Sequence, residues 1–125
     1  MQSHEHLDVY RIASEAARRV AGVARGFPFR ERYTLTDPLR RSSQAVCTHI
    51  AEAWSQRSDP QAFASALNAA RIEAAETLTW LHLAAECDYL SPEDIWYLRQ
   101  AYDEIIGRLG GMATGSSPTP TRDAG

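Results

Sequence analysis

Apolar side chains recur three and four positions apart along most of the chain, which is the period of helices with one buried face. The first such segment runs from about His4 to Arg25, with Tyr10, Ala13, Ala17, Val20 and Ala24 in one stripe that continues to Phe27. Gly26 and Pro28 break it, because glycine ends helices readily and proline restricts the residue before it. A second segment opens after TLTDP, and its stripe is Leu39, Ser43, Val46, Ile50 and Ala53. A third opens after SDP and places Phe63, Leu67, Ala70, Ala74, Leu78, Leu81 and Ala85 on one seam. The fourth opens at SPED and carries Ile95, Leu98, Tyr102, Ile105, Leu109 and Met112. No segment alternates as a strand would.

A small polar residue followed by proline precedes three of these segments. Thr36 or Asp37 stands before Pro38, Asp59 before Pro60, and Ser91 before Pro92. The first amides of a helix have no intrahelical partner, so a side-chain oxygen satisfies them and proline leaves none unpaired. Asp94 also stands three places after Ser91, as in a capping box. Short links between the later segments force antiparallel neighbours. The link from Gly26 to Thr36 is longer, carries Phe27, Phe29 and Tyr33, and is expected to fold over one bundle end. The fold expected is an all-α, antiparallel up-down-up-down four-helix bundle over residues 1–112. Residues 113–125, ending in ATGSSPTPTRDAG, hold no core-forming side chains and are expected to be a disordered tail.

The apolar content is wider than one stripe per helix. Ile72, Trp80 and Leu83 lie off the third seam, and Trp96 and Ile106 lie off the fourth. Such second-face aromatics and aliphatics point to a homo-oligomer. At 125 residues the chain fits one domain, and a net charge of −3 gives no global sign of a nucleic-acid binder. The charge is uneven, however. Residues 1–50 hold eight arginines against five acids, and residues 51–125 hold five arginines against eleven acids. Every basic residue is an arginine. The two cysteines, Cys47 and Cys87, lack metal-site spacing and are expected to be reduced core residues. No apolar run is long enough to span a membrane, and the N-terminus does not read as a secretion signal, so a cytoplasmic location is expected.

Candidate chemistry is thin. No E-x-x-H pair of the kind used by di-iron bundles occurs. His49, Glu52, Glu73 and Glu76 form a conceivable single-metal set, but a structural polar network with Arg40, Arg41 or Arg71 is the favoured reading, with no cofactor. Cys47 and His49 are two apart on a helix and do not face each other. His82 and Glu86 are an ordinary surface pair. These features point away from an enzyme. Arginines offer the other possibility, contact with RNA or DNA. Arg18, Arg19 and Arg25 lie late in the first helix, Arg30 and Arg32 in the link, and Arg40 and Arg41 at the start of the second helix, where backbone amides would also favour an anion.

Motifs along the chain carry a resemblance. They are Phe27-Pro28, then Glu31 with Tyr33 and Leu35, then Leu39-Arg40-Arg41-Ser42-Ser43, then His49-Ile50-Ala51-Glu52-Ala53. Phe63, Glu73, Glu76 and Tyr89-Leu90 follow in order. Together they resemble the bacterial four-helix-bundle proteins encoded in 23S rRNA intervening sequences, which carry the label S23 ribosomal proteins. His49 stands where that family usually has asparagine, and Ala53-Trp54 replace its glycine region. The resemblance implies an up-down bundle assembled as a ring, with a homopentamer as the expected state. It also extends to accessory proteins of diversity-generating retroelements, which bind nucleic acid and a reverse transcriptase. The resulting expectation is a non-enzymatic, self-assembling scaffold or interaction protein. The alternatives are an RNA- or DNA-binding ring using Arg18, Arg19, Arg30, Arg32, Arg40 and Arg41, and, more remotely, a metal-binding bundle.

Overall fold

The structure is a computed structural model that describes His4 and residues 7–114. Four helices make up the bundle: α1 (Asp8–Ala24), α2 (Asp37–Ser55), α3 (Pro60–Glu86) and α4 (Pro92–Ala113). Contacts fix their directions. Asp8 at the start of α1 faces Arg108 late in α4, and Arg19 farther along α1 pairs with Asp94 at the start of α4. Those two helices therefore run antiparallel. Ser42 early in α2 meets Thr77 late in α3, across a short connection, so α2 and α3 are antiparallel too. The end of α1 adjoins the start of α2, and the end of α3 adjoins the start of α4. The bundle is up-down-up-down, with α4 packed back on α1.

The core follows the apolar periods closely. All five expected α2 positions are buried, as are Leu98, Tyr102, Ile105 and Leu109 on α4. Each fully buried Leu, Ile or Val contributes about 1.5–3 kcal/mol. In α1 the register differs. Val9 and Ala16 are buried in place of Tyr10 and Ala17, which sit at the edge of the core. Alanine gave little to distinguish these neighbours, because Ala13, Ala16 and Ala17 all fit a helical stripe. The helix also starts at Asp8, four residues later than expected. At the other end, α4 reaches Ala113, one residue into the expected tail, and Thr114 turns. Residues 115–125 of that tail lie outside the described residues.

Two of the three proline-marked starts carry the expected side-chain cap, although the Asp94 carboxylate pairs with Arg19 instead of completing a capping box. Asp59 Oδ1 accepts from the Gln61 and Ala62 amides, both at 3.2 Å, and Ser91 Oγ accepts from the Asp94 amide at 3.1 Å. The third does not. A 3-10 turn (Phe29–Glu31) and a π turn (Arg32–Thr36) run straight into α2. Thr36 is already helical, at φ −61° and ψ −55°, and makes no cap bond. The Asp37 amide donates to the Arg32 carbonyl. The wider π turn supplies acceptors from the link itself, so α2 does not need a side-chain cap. At its far end α3 closes through Asp88, whose φ is 62°. The Asp88 amide donates to Ala85 and the Tyr89 amide to Ala84, both at 3.0 Å, which is the Schellman pattern with aspartate in the position usually held by glycine.

Candidate functional site

The link between α1 and α2 is folded over the bundle end. Phe27 and Leu35 are buried beneath it, whereas Phe29 and Tyr33 are 81% and 75% exposed. Phe27 packs against Tyr89 with ring centroids 5.5 Å apart. Glu31 ties the link to the end of α3: Thr34 Oγ1 donates to one carboxylate oxygen at 2.7 Å and the Tyr89 hydroxyl to the other at 2.8 Å. The Thr34 and Tyr89 hydroxyls hold the Glu31 carboxyl below its ordinary range. Bonding to that carboxylate, aided by burial, pushes the Tyr89 phenol up.

This fold-back creates a cleft of about 300 Å³ between the end of α1, the link and the start of α2. Arg25, Arg32 and Arg40 line it, together with Phe29, Thr36 and Asp37. Thr36 Oγ1 is buried without a hydrogen-bond partner. Arg32 lies beside two rings, its guanidinium carbon 6.0 Å from the Phe29 centroid and 5.3 Å from that of Tyr33. Because the π turn continues into α2, the first α2 amides are not free for an anion as expected. Positive potential here comes from guanidinium side chains.

The six arginines singled out in the sequence do not form one patch. Arg32 and Arg40 share the cleft just described. Arg41 lines another, of about 260 Å³, with Ser42, Glu73, Glu76 and Trp80. Arg19 is committed to Asp94 at 2.9 Å and lies 4.5 Å over the Tyr97 ring. Arg18 donates to Ser14, and Arg30 reaches the Tyr89 hydroxyl at 3.5 Å. Arg25 completes the cleft, although it stood outside the candidate set. Its signal was its place one residue before the Gly-Phe-Pro break, which puts it at a helix end facing the returning link.

The expected polar network is divided as well. His49 Nδ1 and Glu52 Oε1 are 3.0 Å apart, but this is a surface pair on α2. Glu73 and Glu76 face Arg41 across the second cleft, and Arg71 donates to Asn68 at 2.8 Å. Among the described residues no group of three or more His, Cys, Asp or Glu side chains comes together, so His49, Glu52, Glu73 and Glu76 do not form one ligand set. The buried polar contact is instead Ser42 with Thr77, their hydroxyl oxygens 2.8 Å apart. Thr77 also lies 2.8 Å from the Glu73 carbonyl, and Ser42 3.1 Å from that of Leu39. His82 and Glu86 form the expected surface pair at 3.3 Å.

Both cysteines are free, but they are not both core residues. Cys87 is exposed where α3 ends. Cys47 is half-buried, and burial pushes its thiol up to about 11, so it is a poor nucleophile at neutral pH. No helix among the described residues is long and apolar enough to cross a membrane.

Comparison with known proteins follows the same lines. A comparison with curated proteins returned no match. A crystal structure of a protein with unknown function from the S23 ribosomal protein family of Bacteroides thetaiotaomicron is similar in fold, with a TM-score of 0.76 at 24% identity. The match covers 86% of this chain and 96% of that one. The family model described as 23S rRNA-intervening sequence protein matches residues 5–111, which take in α1 to α3, the folded-back link and all but the last two residues of α4. The chain belongs to the 23S rRNA-intervening sequence protein family.

Proposed function

We propose that this protein acts as a self-assembling helical scaffold with no catalytic chemistry of its own. The observation that supports this reading is apolar surface on the outer side of the bundle. Ile72 and Leu83 on α3 are 54% and 41% exposed, and Trp96 on α4 is 66% exposed. Ile72, Glu76 and Leu83 are spaced four and seven apart, so they share a stripe that faces away from Leu67, Ala70, Ala74 and Leu81. A second copy of the chain is the occupant that would remove this surface from water. The pentameric ring implied by the family resemblance is the assembly proposed. Two free thiols, one of them exposed, fit a reducing, cytoplasmic setting.

Sedimentation equilibrium at micromolar protein tests the proposal. The expected mass is a multiple of 13.9 kDa, fivefold for the ring. The Ile72→Arg/Leu83→Arg variant is expected to sediment as a monomer with its helical circular dichroism retained. A wild-type species of 13.9 kDa would overturn the scaffold reading.

A second reading, contact with RNA or DNA, has its own support. Arg25, Arg32 and Arg40 meet in one cleft, and none has a carboxylate partner among the described residues. Salt-sensitive binding of a structured RNA at micromolar protein is the expected result, and its absence would remove this reading.

A further inference from the structure

We propose that the cleft between α1, the folded-back link and α2 is a subsite for one nucleotide unit, with its phosphate on Arg25, Arg32 and Arg40 and its base on Phe29. This rests on the reading of the protein as a nucleic-acid binder and names the place and the chemistry of contact. Three guanidinium groups line the cleft against one carboxylate, that of Asp37. Like charges gathered in excess of acidic groups repel one another, and a phosphate group relieves that repulsion. Arginine suits the task, because its planar fork donates two parallel hydrogen bonds to phosphate oxygens. Thr36 adds a buried hydroxyl oxygen without a partner in the same wall.

The aromatic residues decide between phosphate alone and a nucleotide. Phe29 lines the cleft and leaves 81% of its surface in water, although Phe27, two residues earlier, is buried. Tyr33, just outside the cleft lining, is 75% exposed, with its ring 5.3 Å from the Arg32 guanidinium carbon. Open rings beside a guanidinium are the kind of surface on which unpaired bases stack. The volume, about 300 Å³, lies at the lower end of small-ligand sites, which run from roughly 300 to 1,000 Å³. That suits one unit and not a duplex. The link is held in place from below by the Phe27–Tyr89 packing and the bonds of Glu31 to Thr34 and Tyr89, so the platform is preformed.

Fluorescence anisotropy with a short labelled single-stranded RNA, and calorimetry with adenosine monophosphate, test the assignment. Wild-type protein is expected to bind the strand, with affinity falling as salt rises. Arg32→Ala/Arg40→Ala is expected to weaken strand binding by about tenfold or more and to flatten the salt dependence by roughly one unit of slope. Phe29→Ala is expected to weaken binding several-fold with the salt slope unchanged, since it removes a stacking face and no charge. Arg11→Ala, exposed early in α1 and away from the cleft, is the control. Binding of the monophosphate identifies a free nucleotide as sufficient, whereas binding of the strand alone makes the unit part of a longer chain; both support the subsite. Strand binding that the Arg32/Arg40 and Phe29 variants leave intact overturns the subsite while nucleic-acid binding stands. Failure of both probes to bind overturns both. A fall in assembly mass in the Arg32→Ala/Arg40→Ala variant would assign these arginines to subunit contact and overturn the subsite.

Discussion

Tyr102 is fully buried, and its hydroxyl meets the Ser43 side chain without forming a well-aligned hydrogen bond. Its neighbour Ser43 donates instead to the Arg40 carbonyl, at 2.9 Å. A buried polar group with only a poorly aligned partner keeps most of the cost of leaving water. Tyr102→Phe is therefore expected to leave stability unchanged or raise it by up to about 1 kcal/mol, measured by urea unfolding at neutral pH. A loss larger than about 1 kcal/mol would show that the hydroxyl is satisfied. The pH dependence supplies a second readout. Burial raises the phenol pKa of Tyr102 far above its ordinary value. A group whose folded pKa is raised contributes stability below its unfolded pKa and loses it as pH rises. Above about pH 10 the unfolded chain ionises this tyrosine and the folded chain does not, so wild-type stability falls there. The Tyr102→Phe variant is expected to lose less over that range. None of this was legible in the sequence, which marked Tyr102 as a seam residue but held no sign of where its hydroxyl would end. The buried Ser42–Thr77 contact was equally hidden, because Ser42 and Thr77 lie 35 residues apart and read as ordinary small positions.

At the scale of the helix, three starts that look alike in the sequence differ in physics. Asp59 gives a side-chain oxygen to two orphan amides, whereas Thr36 gives none and is already helical. Asp59→Ala is expected to cost about 1 kcal/mol, as loss of an N-cap does. Thr36→Ala is expected to cost close to nothing, because it removes a buried unpartnered oxygen and places a better helix former in a helical residue. Thermal unfolding of the two variants side by side decides the matter; equal losses would mean that Thr36 caps α2 after all. The bundle's helices were legible because apolar spacing and proline positions act locally. The link was not, since a 3-10 turn passing into a π turn depends on the way Phe27 and Leu35 find burial beneath it. The same tertiary demand brings Arg25 to Arg32 and Arg40. Arginine positions alone therefore marked the right region but mixed cleft residues with Arg19, whose partners Asp94 and Tyr97 lie on a distant part of the chain.

Across the whole molecule two features bear on the proposed joining of copies. One is the uneven charge, with arginines in excess before residue 50 and acids in excess after it. The other is the apolar outer surface at Ile72, Leu83 and Trp96. They respond oppositely to salt. Exposed charges are screened beyond about 10 Å at 0.1 M salt and beyond about 3 Å at 1 M, so a charge-driven assembly dissociates as salt is added. Burial of apolar surface does not weaken in this way, and excluded salts such as sulfate strengthen it. The scaffold reading places the main contact on the apolar surface, so the assembly mass is expected to hold from low salt to about 0.5 M and to resist dilution better in sulfate. Light scattering across that range provides the measurement. Dissociation to the 13.9 kDa chain at the higher salt would make arginine–acid pairing the force that joins subunits. It would also turn Arg25, Arg32 and Arg40 from proposed phosphate contacts into candidates for the acidic face of a neighbouring copy. Persistence of the assembly, with nucleic-acid binding lost over the same salt range, would separate the two surfaces: an apolar one that joins copies and an arginine-lined one left open to a phosphate chain.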